Sequence, residues 1–505
     1  MSEESSQRDI AALAKGGRTN FFGFLLRLAA TAPFLFIAGR LYGVEALGRY
    51  ASAVVMVELV AQVCSLGQRR GLAQRLSDDE RDAASVVADG MTLSLVCGTV
   101  AALALYLFPA PMFPSGHFTG FDLLLPLAIV PLCLTDVALA ALAYRYDIAT
   151  SVRARSVVEP WCQSLASVAL LLIVPDSGLT LSYLISKIAA AGFAFVPLWR
   201  SYGRPVQWHP HPLRLARMAR AYIPLAIADL VEWGTRKLDI AILGLIASPV
   251  AVGVYYAAQQ VASLPQKLKT SFEPILGPVI TRNLKDGNHA AIVRQVCQVG
   301  FWITAAQAGI ALALGIPGEG VMGLIGPQFV GGTGALAFLL AAEVAASTAV
   351  VSEAALIYIA RIRNLWISLG TIALQAVLTY TFVLAARDAP SWDLPGALAI
   401  DPHKVSYYQA GAVAAALMVS LACASLVKAW VLGILLDDRI NNWRWPLVWA
   451  AIPAGLVGWA ATHYLPEWAE LSLGIPAILL TYGYIIWTRG FGPEDRVLFR
   501  KNVGA

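Results

Sequence analysis

The chain has little charge for its length. Of its 505 residues, 14% are charged and 58% are hydrophobic, and the mean hydropathy is +0.65. Soluble globular proteins are about 25% charged, so an ordinary soluble domain is excluded. The apolar residues form long continuous runs rather than the segments of about 10 alternating residues that build a membrane β-barrel, which favours spanning helices.

Motifs for metal, disulfide or nucleotide chemistry are absent from the sequence as well. No HxxxH or HExxH spacing occurs, so no metal site is predicted, and without a GxxxxGK[ST] loop no nucleotide hydrolysis is expected by that route. No long loop separates the apolar runs, and we expect no catalytic residues, no cofactor and no nucleic-acid partner. The cysteines lie singly in apolar runs, which predicts buried thiols. They are Cys64, Cys97, Cys133, Cys162, Cys297 and Cys423.

What the sequence has instead is a succession of apolar segments long enough to cross a bilayer. About 14 transmembrane helices are predicted, which makes the fold class an all-α polytopic membrane protein. Their predicted ranges are 20–40, 46–67, 84–108, 121–144, 156–174, 179–199, 219–246, 251–280, 293–315, 333–359, 364–386, 408–436, 446–465 and 469–488.

Arginine and lysine fall mainly on one side of this topology. With the N-terminus placed in the cytoplasm, the cytoplasmic segments carry most of the 37 Lys and Arg residues, and the opposite side carries only Arg40, Arg49, Arg387 and Lys404. Positive residues concentrate in cytoplasmic loops, and an added or missing helix would destroy the asymmetry. We therefore predict a multi-pass protein of the bacterial inner membrane with an even number of helices and both termini in the cytoplasm.

A short internal repeat divides the chain. Residues 46–53 (Ala-Leu-Gly-Arg-Tyr-Ala-Ser-Ala) and 251–258 (Ala-Val-Gly-Val-Tyr-Tyr-Ala-Ala) are identical at half of their positions, and each follows a helix and a short outer loop. Transporters are often built from such repeats, with the site at the repeat interface. The predicted division is a cytoplasmic tail (1–19), an N-terminal six-helix bundle (20–199), a basic linker (200–218), a C-terminal six-helix bundle in pseudo-twofold relation to the first (219–436), two accessory helices (437–489) and a cytoplasmic tail (490–505).

Ionisable residues inside the predicted spans are the main functional signal, because each is costly in a bilayer and usually faces the interior of a bundle. In segment 219–246, Asp229, Glu232, Arg236 and Asp239 fall on one helical face with i,i+3 and i,i+4 spacing. The simpler interpretation of such a stripe is that its ion pairs only stabilise helix packing. The functional interpretation is that the stripe is a polar face lining a hydrated cavity.

Basic residues in the same region predict a site for an anionic substrate such as a diphosphate, which guanidinium and ammonium groups bind. The predicted substrate-binding residues are Arg27, Arg236, Lys267 and Lys269. The predicted ion-coupling residues are Glu58, Asp136, Asp229, Glu232 and Asp239.

Three motifs resemble one family of transporters. Residues 41–50 (Leu-Tyr-Gly-Val-Glu-Ala-Leu-Gly-Arg-Tyr), followed by an apolar helix ending in Ser-Leu-Gly, resemble the first two helices of polysaccharide-export flippases of the multidrug/oligosaccharidyl-lipid/polysaccharide exporter superfamily. Residues 237–244 with 252–255 resemble the junction of helices 7 and 8, and residues 324–329 resemble the outer loop before helix 10. The chain departs from the family pattern at Ile240, where a basic residue usually follows the helix 7 aspartate.

The resemblance implies a V-shaped pair of bundles that moves a polyprenyl-diphosphate-linked oligosaccharide from the inner to the outer leaflet. It implies that the cavity cations hold the diphosphate while the lipid tail stays in the bilayer, and that a proton or sodium gradient acts through the acidic residues. Membrane lipids are the expected surroundings. A polysaccharide polymerase and the chain-length machinery are candidate partners.

Three other functions stay open at this point. A flippase for the peptidoglycan precursor would share the fourteen helices and the cationic cavity. A multidrug/cation antiporter of the same superfamily would have twelve helices and an acidic cavity. A membrane polysaccharide polymerase or ligase would need catalytic residues on a large outer loop, and the largest candidate, about 387–406, is short for that work.

Overall fold

The chain is helical throughout the part that the structure, a computed structural model, describes. The described residues are 32–78, 82–116, 118–205, 208–270, 280–389, 401–492 and 495–496, and among them the side chains at 148, 267–270 and 402 are not described. No β-strand occurs within these ranges. The all-α fold class predicted from the hydropathy pattern is therefore confirmed.

The first half of the chain forms ten helices. The hydrophobic runs set their extents, and glycine, proline or charged residues end them. In chain order they are α1 (Ala32–Tyr42), α2 (Val44–Cys64), α3 (Gln68–Asp78), α4 (Ala83–Leu107), α5 (Ile129–Tyr144, preceded by a 3₁₀ segment at Asp122–Ala128), α6 (Ile148–Arg153), α7 (Glu159–Leu171), α8 (Gly178–Tyr202), α9 (Pro212–Ile246) and α10 (Pro249–Thr270).

The second half continues in the same way. Its helices are α11 (280–285), α12 (His289–Gly315), α13 (Gly318–Ile325), α14 (Thr333–Ile359), α15 (Arg361–Asp388), α16 (Val405–Leu436), α17 (Pro446–Tyr464), α18 (Glu467–Ala469) and α19 (Ile475–Ile485).

Each of the predicted segments coincides with helix in the described residues. By length and composition, nine helices of the described chain are long and apolar enough to cross a membrane, so the count of about 14 spans stays a prediction. Two differences stand out. A separate helix, α3, follows α2, and α9 begins at Pro212 rather than 219 because an amphipathic basic turn, with proline at its first position, precedes the apolar run.

The chain packs into two compact units, one ending at Tyr256 and the other beginning at Ala257. In the first, α4 packs on α5, α5 and α7 pack on α8, and α2 packs on α9. Its core includes Leu72, Val137 and Leu142, which are fully buried. The predicted boundary between bundles at 200–218 stays a prediction, but α9 and the first turns of α10 pack within the first unit.

The second unit is built around α14 and α16, with α12 and α15 beside them and α17 packed on α19. Its core includes Ile292, Phe301 and Leu432. A buried polar contact fixes the segment after α19, because Asp495 accepts hydrogen bonds from Trp302 at 2.9 Å and from Arg444 at 2.7 Å. This contact ties residues at the end of the described chain to α12.

Candidate substrate and coupling site

A tight turn between α2 and α3 brings the start of α3 against α9. Gly67 in this turn has φ +68°, and a Cβ there would come within 2.7 Å of the backbone nitrogen of Ala226 in α9. One turn further on, the hydroxyl of Tyr222 donates to the carbonyl oxygen of Gly71 at 3.2 Å. Glycine is therefore required at the turn both for its conformation and for the close approach.

This approach places Arg70 over the charged stripe of α9. Its Nε donates to Asp229 at 3.1 Å and its Nη2 to Glu232 at 2.5 Å. Glu232 also accepts from Arg236 at 3.1 Å, one turn along the same helix. Two guanidinium groups and two carboxylates thus form one continuous chain of ion pairs.

Exposure differs sharply along this chain of charges. The side chain of Asp229 is 4% exposed, whereas those of Arg70 and Arg236 are 50% and 58% exposed. Asp229 Oδ1 is held by Arg70, and its other oxygen, Oδ2, is buried and has no hydrogen-bond partner among the described residues. Another anion can therefore reach the two guanidinium groups, whereas the carboxylate of Asp229 is buried.

Asp239, the last member of the predicted stripe, has different surroundings. It is fully buried and accepts a short hydrogen bond from the Tyr255 hydroxyl of α10. The carboxylate therefore joins α9 to α10 near their common loop. The structure brings together Asp229, Glu232 and Arg236, and it places Asp239 apart from them.

A second cluster of charges lies between α5, α7 and α8. Arg155 pairs with Asp136 and approaches Glu159 at 3.7 Å, and Lys187 pairs with Glu159. Arg155 lies in a π-helical turn, Ala154–Val158, and such turns often occur at functional positions. The side chain of Lys187 is only 7% exposed, so its ion pair with Glu159 is largely removed from water.

Glu58 of α2 joins this cluster through aromatic side chains. It accepts a hydrogen bond from the Tyr183 hydroxyl at 3.1 Å, and Lys187 Nζ lies 4.4 Å from the centre of the Tyr183 ring. The Tyr50 hydroxyl accepts from Gln163 at 2.6 Å, and its ring lies 6.1 Å from that of Tyr183. Among the described residues Glu58 makes no ion pair of its own.

The described part of this second cluster contains more carboxylates than cations. Within the described part of the chain it contains three carboxylates, Glu58, Asp136 and Glu159, and two cations, Arg155 and Lys187. Among the described residues, the carboxylates of this cluster therefore outnumber its cations by one.

Several residues of these clusters were not found from the sequence. Arg70 and Arg155 were assigned to loops that flank predicted spans, and Glu159 and Lys187 were not singled out. The i,i+4 spacing of Arg155 and Glu159 is a local signal that points to a pair. The contacts from Arg70 to α9 and from Lys187 to α7 join distant parts of the chain, and no local pattern indicates them.

The structure does not describe all of the predicted substrate-binding side chains. Arg27 lies outside the described residues, and Lys267 and Lys269 lie in α10 with side chains that are not described. Of the four predicted substrate-binding residues, the structure describes the side chain of Arg236.

In the second unit, Lys428 of α16 pairs with Glu353 of α14 at 2.8 Å, well inside two apolar helices.

The sequence profile of a family described as "polysaccharide biosynthesis protein" matches residues 37–304, which is more than half of the chain. No curated protein sequence matches it.

Solved structures of transporters share its fold. The chain superposes on a lipid II flippase MurJ in an inward closed conformation with a TM-score of 0.67 and 12% identity, covering 94% of this chain and 97% of that one. An inward-facing multidrug resistance MATE family transporter of the MOP superfamily gives a TM-score of 0.57 and 15% identity, covering 86% of this chain and 96% of that one. The fold is therefore that of a multi-pass membrane transporter.

Proposed function

The chain belongs to the polysaccharide biosynthesis protein family, and on that premise we propose that it is a flippase for polyprenyl-diphosphate-linked oligosaccharide repeat units. It would move them across the inner membrane for synthesis of a surface polysaccharide: O-antigen, capsule or exopolysaccharide. The observation that carries this proposal is the combination of a polysaccharide family match over residues 37–304 with a flippase-type fold over 94% of the chain.

The charges of the first unit support an anionic cargo. Arg70 and Arg236 expose guanidinium groups beside α9, and guanidinium binds phosphate oxygens in a two-pronged geometry. In the proposed mechanism Arg236 binds the diphosphate together with Arg27, Lys267 and Lys269. The lipid tail remains in the bilayer, and the saccharide crosses through the hydrated interior.

The cluster around Glu58 supports coupling to an ion gradient. Its excess negative charge is suited to carrying a proton or sodium ion, with Glu58 as the carboxylate that lacks a cationic partner among the described residues. Asp136 belongs to the same cluster and is paired with Arg155. Asp229 and Glu232 are a second coupling candidate, because they are charged groups inside a predicted span.

Deletion of the gene tests the proposed function directly. We expect loss of surface polysaccharide together with accumulation of complete lipid-linked repeat units on the cytoplasmic leaflet. Complementation with Arg236→Ala should restore little polymer, whereas Arg363→Ala, which changes an exposed arginine of α15, should restore it fully. Repeat units already exposed on the outer leaflet would point instead to a polymerase or ligase.

The likeness to a lipid II flippase favours a second function, transport of a peptidoglycan precursor. That function predicts that depletion stops cell-wall synthesis and that cells lyse. Loss of surface polysaccharide with normal cell-wall growth would exclude it. This structural match has 12% identity and therefore supports the fold alone. The deletion phenotype decides between the two substrates.

A further inference from the structure

We propose that Arg70 is a diphosphate-binding residue, and that Asp229 and Glu232 occupy its guanidinium in this conformation in place of substrate. The inference rests on the proposed function and adds to it a binding group outside the predicted cavity set. It also assigns the two α9 carboxylates a role as internal competitors of the cargo. The cargo chemistry is that of a diphosphate with one negative charge on each phosphoryl group.

The geometry of Arg70 is the first argument. Its Nε and Nη2 each hold a different carboxylate, at 3.1 Å and 2.5 Å. The two carboxylates are three residues apart on α9, so they stand side by side on one helical face. Two anionic groups held together against one guanidinium are also what a diphosphate presents, and the planar fork of arginine suits both.

The sharing of Glu232 is the second argument. Glu232 accepts from both Arg70 and Arg236, at 2.5 Å and 3.1 Å. When Glu232 swings away, two guanidinium groups lose a partner together, and both side chains are at least half exposed. A diphosphate can then take the place of the carboxylate without leaving either cation unpaired.

Replacement of the Asp229 carboxylate by a diphosphate at Arg70 would also affect the packing of α3 on α9. Its side chain is almost fully buried, and Arg70 is the group that holds its Oδ1, while Oδ2 has no partner in the described chain. Transfer of Arg70 to a diphosphate would leave a buried carboxylate uncompensated, which is strongly unfavourable unless water or a proton reaches it. Binding of the anion is therefore linked to separation of α3 from α9 at this point.

The linkage gives the contact a function in transport. A ligand shifts a conformational equilibrium only through a difference in affinity between states. Here the closed contact and the diphosphate compete for one guanidinium, so the ligand favours the state in which α3 and α9 have parted. In the predicted topology this contact lies on the cytoplasmic side, where the lipid-linked substrate is made.

Binding of inorganic pyrophosphate to the purified full-length protein in lipid nanodiscs tests the proposal. We expect the Asp229→Asn/Glu232→Gln variant to bind pyrophosphate at least about tenfold more tightly than wild type, because the competitors are removed. Arg70→Gln should weaken binding by a similar factor, in wild type and in the neutralised background. Arg153→Gln changes an exposed arginine at the end of α6 and should leave binding unchanged.

A measurement on the wild-type protein covers the case in which a variant fails to fold. Pyrophosphate should accelerate amide hydrogen exchange in residues 65–72 and 222–236, since the contact between α3 and α9 opens. Unchanged or slower exchange in these residues would overturn the proposal. So would an affinity for pyrophosphate that stays the same in both the Arg70→Gln and the Asp229→Asn/Glu232→Gln variants. Suppose that the folded Arg70→Gln variant binds pyrophosphate as tightly as wild type, while repeat units still accumulate in the deletion strain. That result would refute the role of Arg70 and leave the proposed function standing. Intact polysaccharide in that strain would refute the proposed function instead.

Discussion

The backbone of Gly48 in α2 lies directly against the backbone of Gly253 in α10. A Cβ on Gly48 would come within 2.8 Å of the Gly253 nitrogen and 1.7 Å of the Pro249 carbonyl oxygen. A Cβ on Gly253 would come within 2.1 Å of the Val44 carbonyl oxygen. These glycines occupy the same position in the two copies of the internal repeat, so the repeats meet at their matching residues.

Substitution of Gly253 by alanine should therefore separate α2 from α10. The neighbouring atoms are backbone and cannot rotate away, so we expect a loss of about 1–3 kcal/mol, the usual cost of overpacking. Thermal unfolding of the protein in detergent measures the effect. Gly192→Ala is the matched control, because a Cβ at this position in α8 meets nothing within 4 Å, and equal midpoints for the two variants would contradict the prediction.

Removal of Lys187 should destabilise the first unit. Lys187→Met leaves Glu159 with less compensation in a position that is mostly shielded from water, and breaking a buried ion pair in this way costs about 3–5 kcal/mol. Adding Glu159→Gln to the same protein should recover much of the loss, because the carboxylate that has lost its lysine is then neutral. The readout is again thermal unfolding, and a double variant no more stable than Lys187→Met would count against the pair.

Neutralising Glu58 should affect coupling more than folding. Glu58→Gln keeps an acceptor for the Tyr183 hydroxyl but removes the excess negative charge of the cluster. We expect normal protein levels and transport in proteoliposomes that no longer responds to an imposed pH or sodium gradient. Tyr183→Phe retains the charge and should keep the response, and a Glu58→Gln protein with the full gradient dependence would rule out Glu58 as the coupling group.

The stabilising effect of Asp495 should depend on pH. Burial opposes ionisation of Asp495, but hydrogen bonds from Arg444, the Gly492 amide and Trp302 outweigh it, so the pKa of Asp495 is lowered. A lowered folded-state pKa means that the stabilisation is present above the unfolded value of about 3.9 and is lost as the pH falls through the folded value.

The variant Asp495→Asn measures this contribution. It should unfold more easily than wild type at pH 7, by about 1–3 kcal/mol for loss of charged hydrogen bonds. The difference between the two proteins should stay constant from pH 8 to pH 5 and shrink below pH 4. A difference that grows as the pH falls would show that the carboxylate does not stabilise the fold in its ionised form.

The helices were predictable because hydropathy is a local property of the sequence. Segment 408–436, for example, is mostly apolar, with Lys428 as its one charged residue, and α16 spans Val405–Leu436. The turn at Gly67 was not predictable in the same way. The chain stays helical on both sides of it, and the exclusion of a Cβ at Gly67 depends on α9, a distant part of the chain.

The charged clusters were predictable only along single helices. The spacing of Glu232 and Arg236 indicated their pairing, and the structure contains that pair. The third partner, Arg70, comes from a segment assigned to a cytoplasmic loop because it follows an apolar span. Likewise the repeat indicated that residues 46–53 and 251–258 have similar local structure, but similarity carries no information on whether two copies touch.

The π-turn at Ala154–Val158 has a consequence for how the chain tolerates changes in length. Such a turn accommodates one residue more than an α-helical turn, so deleting a single residue there would yield a regular helix. Because the wide turn already absorbs the extra residue, the face of α7 would keep its orientation relative to α6, and Glu159 and Gln163 would stay beside Lys187 and Tyr50. A single deletion in a regular turn at the start of α7 would instead rotate every later side chain by about 100°. The π-turn is thus the place in this helix where the chain can lose one residue with the least effect on packing.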